Sequence, residues 1–586
     1  MASRRALQIA SLGIAVTTAG CAGDRRFPLR EPMWKDTDLA SYSYPCEKRP
    51  TKKEPGHVSC APEPYESPLA WDGIDNSIFR PLSKVFAVDP PREAPNVNSL
   101  DEVPDSAWFT NRIGKHKPTT EQLAQGACKD EDKLEGESAE PGAWVIDEGK
   151  NNGSTPGFRI KIGKRKFVLK ADDPAEPERA SAASAIGAAI YHDVGFYSSC
   201  EQIVYFKRSA LKLTPGLTVT DNSGISKPFD QKALDDVLDK AGKRGDLVRM
   251  QASAWLGGYL IGPFKYEKVR DDDRNDIIDH EERRDLRGAR VLAAWVNHID
   301  AREQNSMNAW VADKHEPADS SPGYVRHYYL DTSDLFGSNW AWDEINRRLG
   351  KSYLLDWGDI GADFITLGIP RRSWELTAVT PGMEMFGYFD SRTFDAEGWK
   401  NEYPNPAFSR ATERDNAWMA RILSRFDRED IHALVMLGKL SKPEATEYLT
   451  RILEERLQKV LERYLLRLSP IADLRMRTPN MLCATDLARR RHVRPDSEFR
   501  YSAGWRNEGT VVAVPVDVGD KGEICMMLPS VAAGAAGESV RADARSRYVV
   551  VTITDSVATY PLRAHFYDLG RNAGYRLVGL ERLEER

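Results

Sequence analysis

The chain has 586 residues, 41% hydrophobic and 29% charged, which is typical of a globular protein with about three or four domains. Its 82 basic and 88 acidic residues give a formal net charge of −6 and are interspersed along the sequence. This balance argues against a nucleic-acid-binding protein, which would carry a basic patch or stripe.

Residues 1–20 are predicted to be a lipoprotein signal peptide. Basic Arg4 and Arg5 precede an apolar run over residues 6–17, and small residues then lead directly to Cys21. This order resembles the lipobox of bacterial lipoproteins, in which the cysteine becomes the lipidated N-terminus. An ordinary secretory signal with a coincidental cysteine is the alternative. The sequence therefore predicts a cell-envelope protein anchored by lipid, in the outer membrane rather than the inner.

Residues 21–95 are rich in proline and charge and are predicted to be a tether followed by extended chain. Cys46 and Cys60 lie in this segment, 14 positions apart. An exported protein can form disulfides, so these two cysteines are the candidate pair. Free buried thiols are the alternative interpretation.

An ordered domain is predicted over residues 96–470, with a small β-rich lobe over about 130–225 and a mainly helical lobe over about 226–470. Short runs of β-branched and aromatic residues predict strands, and an alanine-rich segment predicts a helix that ends near Gly195. The strands are AWVIDE (143–148), FRIKIG (158–163), KFVLKA (166–171) and EQIVYFK (201–207). Further strand patterns predict a small β-sandwich over 471–586.

A set of polar residues within the 96–470 segment carries the candidate chemistry. NHIDAREQN (297–305) follows an apolar helix and has the spacing H-x-D-x-x-x-x-N, which is that of the protein-kinase catalytic loop. Lys170 ends an alternating strand behind a Gly-rich loop, and Asp331 ends the strand RHYYLD. Phosphoryl transfer needs a lysine for the phosphates, a base near the attacking hydroxyl, and an Asn and an Asp for Mg²⁺.

The region 96–470 resembles the protein-kinase-like fold, and its atypical branches (HipA-type, phosphoinositide and secretory-pathway kinases) more than ordinary protein kinases. It also resembles a family of bacterial exported proteins with no settled activity, through stretches such as NVNSLDEVPDSAWFTNR, FVLKADDPAEPE and HYYLDTSDLFGS. The resemblance implies an α+β fold. Its two protein-kinase-like lobes, one small and β-rich and one larger and mainly helical, would precede a small all-β sandwich-like domain.

The resemblance also implies roles for individual residues. Lys170 would bind the α- and β-phosphates of ATP, and Asp300 would be the base or the group that orients the attacking hydroxyl. Asn305 and Asp331 would hold Mg²⁺.

The Gly-rich loop would supply further contacts to the phosphates, through backbone N–H groups and one lysine. Its candidate residues are Lys150, Gly153, Ser154 and Gly157. Kinases pair the strand lysine with a glutamate in the middle of the following helix. Here the candidates Glu176 and Glu178 lie at the start of that helix.

Two functions stay open at this point. The first is a membrane-anchored phosphotransferase that uses Mg²⁺ and ATP on an unknown substrate, and the retained Lys, Asp, Asn and Asp favour it. The second is a catalytically inactive kinase-like binding or structural module of the cell envelope, favoured because the periplasm is not expected to supply ATP. The predicted partners are the membrane, through Cys21, and a nucleotide ligand.

Overall fold

The structure is a computed structural model. It describes residues 25–30, 36, 38–51, 54–84, 92–150, 156–174, 176–220, 226–313, 319–337, 343–530 and 541–584.

The α-helices, numbered in chain order, are α1 Leu69–Ile74, α2 Arg80–Lys84, α3 Thr120–Gln125, α4 Arg179–Val194, α5 Gln231–Lys240, α6 Arg284–Val296, α7 Asp343–Arg348, α8 Trp357–Thr366, α9 Pro406–Ser409, α10 Glu413–Leu423, α11 Arg428–Met436, α12 Pro443–Tyr464 and α13 Leu487–Arg490.

The strands are β1 Glu47–Lys48, β2 Val58–Ser59, β3 Trp144–Gly149, β4 Gly157–Ile162, β5 Arg165–Lys170, β6 Tyr197–Ser198, β7 Glu201–Lys207, β8 Leu211–Leu213, β9 Thr218–Thr220, β10 Ser226–Pro228, β11 Gly242–Arg244, β12 Leu247–Ala254, β13 Tyr259–Leu260, β14 Ser306–Ala312 and β15 Gly323–Tyr329. Those of the C-terminal part are β16 Ile471–Thr478, β17 Met481–Asp486, β18 Tyr501–Asn507, β19 Thr510–Val514, β20 Asp517–Val518, β21 Glu523–Met527, β22 Tyr548–Asp555, β23 Leu562–Asp568 and β24 Tyr575–Arg582.

A seven-stranded sheet contains the strands predicted between residues 143 and 207. Its order is β11–β12–β5–β4–β3–β8, and β7 also pairs with β12. Side chains alternate along β5, so Phe167 and Leu169 are buried on one face while Val168 and Lys170 lie on the other. The alternation thus brings Lys170 to the end of β5 on the less buried face.

The predicted fold class, an α+β two-lobed kinase-like arrangement followed by a sandwich-like domain, is wrong. The described residues are mixed α/β, with 29% helix and 24% strand distributed over many small sheets, and they show no clear two-lobed kinase arrangement. The segment LVRMQASA lies in the region predicted to be mainly helical, yet it forms β12. Six of its eight residues are buried because β12 lies between other strands, so it lacks the alternation that indicates a strand.

A four-stranded sheet, β13–β14–β15–β6, positions the chain that leads to Asp331. β15 is antiparallel to β14 and parallel to β6, and it ends at Tyr329. Asp331 then adopts a left-handed backbone conformation, with φ of 45°. Aspartate is one of the few non-glycine residues that adopt this conformation, and the chain turns sharply here.

The largest apolar core is formed chiefly by α4, α6, α10 and α12. Trp295 of α6 is fully buried and donates its indole N–H to the Leu453 carbonyl oxygen of α12 at 2.8 Å. Arg456 of α12 donates to the carbonyl oxygens of Ala294 and Trp295, satisfying acceptors that the end of α6 leaves unpaired. The core therefore holds the end of α6, and with it the start of the 297–305 loop.

The C-terminal part contains two antiparallel sheets, β16–β17–β21–β20 and β19–β18–β22–β23–β24. Apolar residues of both sheets form one buried cluster, which includes Leu482, Ile524, Val551 and Phe566. An ion pair connects this part to the preceding region: the guanidinium of Arg582 in β24 lies 3.1 Å from Asp101.

Three disulfides are present among the described residues: Cys46–Cys60, Cys128–Cys200 and Cys483–Cys525. The first is the predicted pair. No helix among the described ranges is long and apolar enough to cross a membrane. Disulfides persist in oxidising compartments, so the three bonds are compatible with an extracellular or envelope protein.

Loss of the Cys128–Cys200 disulfide should destabilise the seven-stranded sheet. The bond closes a separation of 72 residues between the segment before β3 and the start of β7. In the chain-entropy account, a cross-link over that separation stabilises the fold by about 4 kcal/mol. The double variant Cys128→Ser/Cys200→Ser should therefore unfold at a lower denaturant concentration. Cys46→Ser/Cys60→Ser, which opens a shorter loop of 14 residues, should lose about 3 kcal/mol. An equal or larger loss in the latter would contradict the loop-length argument.

Candidate functional site

Lys170 and Asp331, 161 positions apart in the sequence, meet in the folded chain. The Lys170 ammonium lies 3.6 Å from Asp331 Oδ2. The lysine side chain is 15% exposed and the aspartate side chain 44% exposed, so the pair lies at the surface of a partly open site. Two of the residues predicted for phosphate and metal binding are thus brought together.

The turn after β15 holds Asp331 against α4. Thr332 donates its hydroxyl to the Ser184 carbonyl oxygen at 3.2 Å, and Ser333 donates to Asp331 Oδ1 at 2.6 Å. Gly187 of α4 makes this approach feasible, because a Cβ there would lie 2.8 Å from the Thr332 side chain. The direction of the Asp331 carboxylate is therefore set by the packing of this turn on the helix.

Lys150 is the third charged residue of the site. It directly follows β3, and its backbone N–H donates to the Gly157 carbonyl oxygen at 3.2 Å. Gly157 pairs with Lys170 across β4 and β5, and a Cβ at this glycine would lie only 2.2 Å from the Leu169 carbonyl oxygen. Gly157 thus serves the close approach of two strands, and that approach places Lys150 beside Lys170.

The electrostatics of this group favour an anion. Burial lowers the pKa of Lys150 to about 8. The neighbouring Lys170 also lowers this pKa, whereas Asp331 raises it. Burial also disfavours the charged form of Lys170. The attraction of Asp331 and Glu201 outweighs this effect of burial, so the pKa of Lys170 is raised. Lys170 in turn lowers the pKa of Asp331 to about 2. Two ammonium groups therefore lie beside Asp331, with Glu201 also acting on Lys170, and an incoming phosphate would be attracted by both lysines.

Asp300 lies in a cluster of acidic groups. Its backbone N–H donates to Asp334 Oδ2 at 3.0 Å, and its carboxylate lies 2.8 Å from Arg302 Nε without alignment for a hydrogen bond. Burial raises the pKa of Asp300 well above its usual range. Arg302 lowers this pKa, whereas Glu402 and Asp334 raise it further. Burial, Asp331 and Glu402 likewise raise the pKa of Asp334 to about 8. The acidic cluster adjoins the lysine pair through the proximity of Asp331 and Asp334.

His298 has a structural role. Its Nδ1 lies 2.6 Å from the Tyr191 hydroxyl, and its Nε2 lies 3.6 Å from Asp334 Oδ1. The ring is fully buried, and burial lowers its pKa to about 3, so the imidazole is neutral at physiological pH. His298 lies in the loop that also carries Asp300. It thereby attaches this loop both to α4 and to the turn after Asp331.

Asn305 lies next to the Asp331 turn. The Leu330 backbone N–H donates to the Asn305 carbonyl oxygen at 2.9 Å. The Asn305 side-chain amide donates to the Asp300 carbonyl oxygen at 2.8 Å. Asn305 therefore closes its own loop and joins it to the segment that ends in Asp331.

Neither candidate glutamate forms an ion pair with Lys170 in the described part of the chain. Glu176 accepts a hydrogen bond from Arg179 at 2.6 Å, and Arg179 also donates to the Ser333 carbonyl oxygen at 3.1 Å. Glu178 accepts from the Ser441 backbone N–H at 2.9 Å. The carboxylate partner of Lys170 is Asp331 instead. Gly153, Ser154 and Cys21 lie outside the described residues.

Sequence reasoning did not single out the neighbours that set the charge of this site. Asp334 lies three residues after Asp331 in the quoted stretch DTSD, and Arg302 lies inside NHIDAREQN. The closeness of Arg302 to Asp300, and of Asp334 to Asp331, in the sequence is a local signal that could have indicated them. Glu402 and Glu201 are distant in sequence, and no pattern indicates them.

Comparisons of the chain with models of protein families, with curated proteins and with solved structures find no match.

Proposed function

We propose that the group formed by Lys150, Lys170 and Asp331 binds the phosphates of a nucleotide with Mg²⁺, and that the chain is a phosphotransferase of unknown substrate. The observation that carries this proposal is the convergence of Lys170 and Asp331, with Lys150 beside them. A lysine on the phosphates and a carboxylate on the metal are the parts that phosphoryl transfer needs. The proposal concerns the side chains and does not depend on a kinase-like fold.

The oxygen donors of the site suit Mg²⁺, although no group of three or more His, Cys, Asp or Glu that could hold a metal is found among the described residues. Mg²⁺ is usually bound by one or two carboxylates together with substrate phosphates and water. Asp331 is exposed enough to serve, and Asn305 lies beside it. The ion would supply charge neutralisation for the phosphates. A nearby cation would also favour the ionised forms of Asp300 and Asp334, whose pKa values are raised without one.

Asp300 is the candidate base of this reaction. A base accepts a proton from the attacking hydroxyl only as a carboxylate, and the raised pKa of Asp300 disfavours that form. Arg302 counteracts the effect through its ion pair with Asp300. Ionisation of Asp300 would therefore accompany the binding of a cation nearby.

Calorimetry of Mg·ATP binding to residues 22–586, which lack the signal peptide and Cys21, tests the proposal. Lys170→Met should weaken binding by about tenfold or more, because it removes a charge-assisted contact to the phosphates. Lys161→Met is the matched control, since Lys161 is an exposed lysine of the neighbouring strand β4. If the unmutated chain binds no Mg·ATP, the nucleotide site is excluded.

An inactive binding module is the second candidate function. The observation that favours it is that Glu176 and Glu178 bind Arg179 and Ser441 and neither forms an ion pair with Lys170 among the described residues. Nucleotide binding without turnover in a single-turnover assay would support this alternative over the phosphotransferase.

We also propose that the chain is attached to the cell envelope through a lipid on Cys21, in the outer membrane. A Cys21→Ser chain should lose fatty-acid labelling and remain a full-length precursor, because the cysteine is the lipidated residue of the predicted lipobox. Labelling with a fatty-acid analogue and the apparent mass on a gel provide the measurement. Normal processing of the variant would contradict the proposal.

A further inference from the structure

A cavity of about 370 Å³ is lined by none of the residues of the proposed nucleotide site. It is bounded by α12, by the segment after α7 and by the segment after α8. Its wall includes the aromatic rings of Trp374, Tyr388 and Trp399. We call it the Arg456 cavity, after the buried arginine that lines it.

More cations than carboxylates line the Arg456 cavity. Five cationic side chains line it, against the three carboxylates of Asp359, Asp390 and Asp395. The cations are Lys351, Arg371, Arg372, Lys400 and Arg456.

The three carboxylates are already engaged by the protein. Asp359 forms an ion pair with Arg372 at 3.0 Å, Asp390 accepts from the Thr393 backbone N–H at 2.7 Å, and Asp395 accepts from that of Glu397 at 3.0 Å. Arg372 also pairs with Asp363, and Lys400 pairs with Asp356, so two of the five cations have ion-pair partners.

Three of the cations have no carboxylate within ion-pair distance in the described part of the chain. Arg456 donates to backbone carbonyl oxygens, and Lys351 donates to the Thr377 hydroxyl. Arg371 is exposed beside them. Burial lowers the pKa of Lys351 to about 8. Arg456 also lowers this pKa, whereas Asp390 raises it. A buried cation without a counterion is costly, so the cavity is suited to an anionic group.

An exposed apolar surface adjoins this cavity. Phe364, Ile365, Leu367 and Ile369 are each at least 80% exposed, and we call them the 364–369 surface. Ile369 is two residues from Arg371, and α8 carries both Phe364 and the cavity residue Asp359. The anionic site and the apolar surface therefore belong to one continuous stretch of chain.

We propose that the Arg456 cavity binds the phosphate headgroup of an anionic lipid while the 364–369 surface inserts among the acyl chains. A cationic cavity beside exposed large apolar side chains matches the two parts of a phospholipid. A single soluble metabolite would not require four such side chains in water. The predicted lipid anchor at Cys21 would hold the chain at a membrane, where this ligand is abundant. The proposal is independent of the nucleotide site.

Vesicle sedimentation tests the proposal with residues 22–586, which lack Cys21, so that no lipid of the chain's own contributes. The chain should bind vesicles of phosphatidylcholine with phosphatidylglycerol more tightly than vesicles of phosphatidylcholine alone. Arg371→Gln should weaken binding about fivefold, the usual effect of one cation near an anionic membrane. Phe364→Ser/Leu367→Ser should weaken it further. The overall charge of −6 opposes non-specific attraction to these vesicles.

Two controls separate the outcomes. Arg571→Gln, at an exposed arginine of the C-terminal part, should leave vesicle binding unchanged, as should Lys170→Met. Calorimetry with dihexanoyl phosphatidylglycerol should show tighter binding than inorganic phosphate. Equal affinity for the two probes, or equal binding to both kinds of vesicle, would overturn the proposal. Circular dichroism confirms folding of each variant, and Arg371 and Phe364 are exposed enough to be replaced without opening the core.

Discussion

Replacing Asp101 by Asn is expected to lower the free energy of unfolding by about 3–5 kcal/mol, the usual cost of removing one partner from a buried ion pair. The Asp101 carboxylate lies 2.6 Å from Arg284, 3.0 Å from Arg421 and 3.1 Å from Arg582. All four side chains are buried. The variant would leave the three arginines without this carboxylate and would loosen β24 from α6 and α10. Denaturant unfolding followed by circular dichroism measures the change.

The Asp101 carboxylate should also make the free energy of unfolding depend on pH. Burial alone would raise the pKa of Asp101, but Arg284, Arg421 and Arg582 outweigh it and hold the pKa well below the usual range. A carboxylate with a lowered folded-state pKa stabilises the fold above its unfolded pKa of about 4, and that contribution is lost as the pH falls below it. The difference between the unmutated chain and Asp101→Asn should therefore be constant near neutrality and should shrink below about pH 4.

Asp130→Asn is the control for the Asp101 experiment. Asp130 is exposed and pairs with Lys133 at the surface, so its replacement should leave the unfolding midpoint unchanged. An equal loss of stability in both variants, or a difference that does not depend on pH, would contradict the role assigned to Asp101.

Asp331→Asn is expected to abolish Mg²⁺-dependent ATP binding, with a loss in affinity of about 100-fold or more. The amide keeps the shape of the side chain and removes the negative charge that faces Lys170 and would face the metal. Without that charge the triphosphate would approach the site with no counterion held for it. Calorimetry with and without Mg²⁺ measures the effect, and retention of metal-dependent binding by the variant would exclude Asp331 as a ligand.

Asp300→Asn separates binding from turnover. A base acts in the transition state, so this variant should bind Mg·ATP like the unmutated chain and lose phosphoryl transfer. Loss of binding in both aspartate variants would instead indicate that Asp300 belongs to the metal site. Unchanged turnover in Asp300→Asn would exclude it as the base.

The sequence by itself determined the local elements, because their patterns depend on neighbouring residues. The strand at 166–171 and the helix that ends near Gly195 are found within a few residues of their predicted bounds, as β5 and α4. Alternation along β5 determines that Lys170 shares a face with Val168. The proximity of Cys46 and Cys60 in a proline-rich segment likewise indicated the disulfide that the structure contains.

Only the tertiary structure decided how these elements combine. β12 is buried by strands that precede it in the chain, so its sequence lacks alternation, and the fold class inferred without it is wrong. The carboxylate partner of Lys170 is Asp331 because α4 approaches the turn after β15 closely at Gly187. The raised pKa values of Asp300 and Asp334 depend on their burial near Glu402, which is distant from both in the sequence. Sequence patterns record the environment of a residue along the chain, whereas burial and charge at a site depend on residues that meet only after folding.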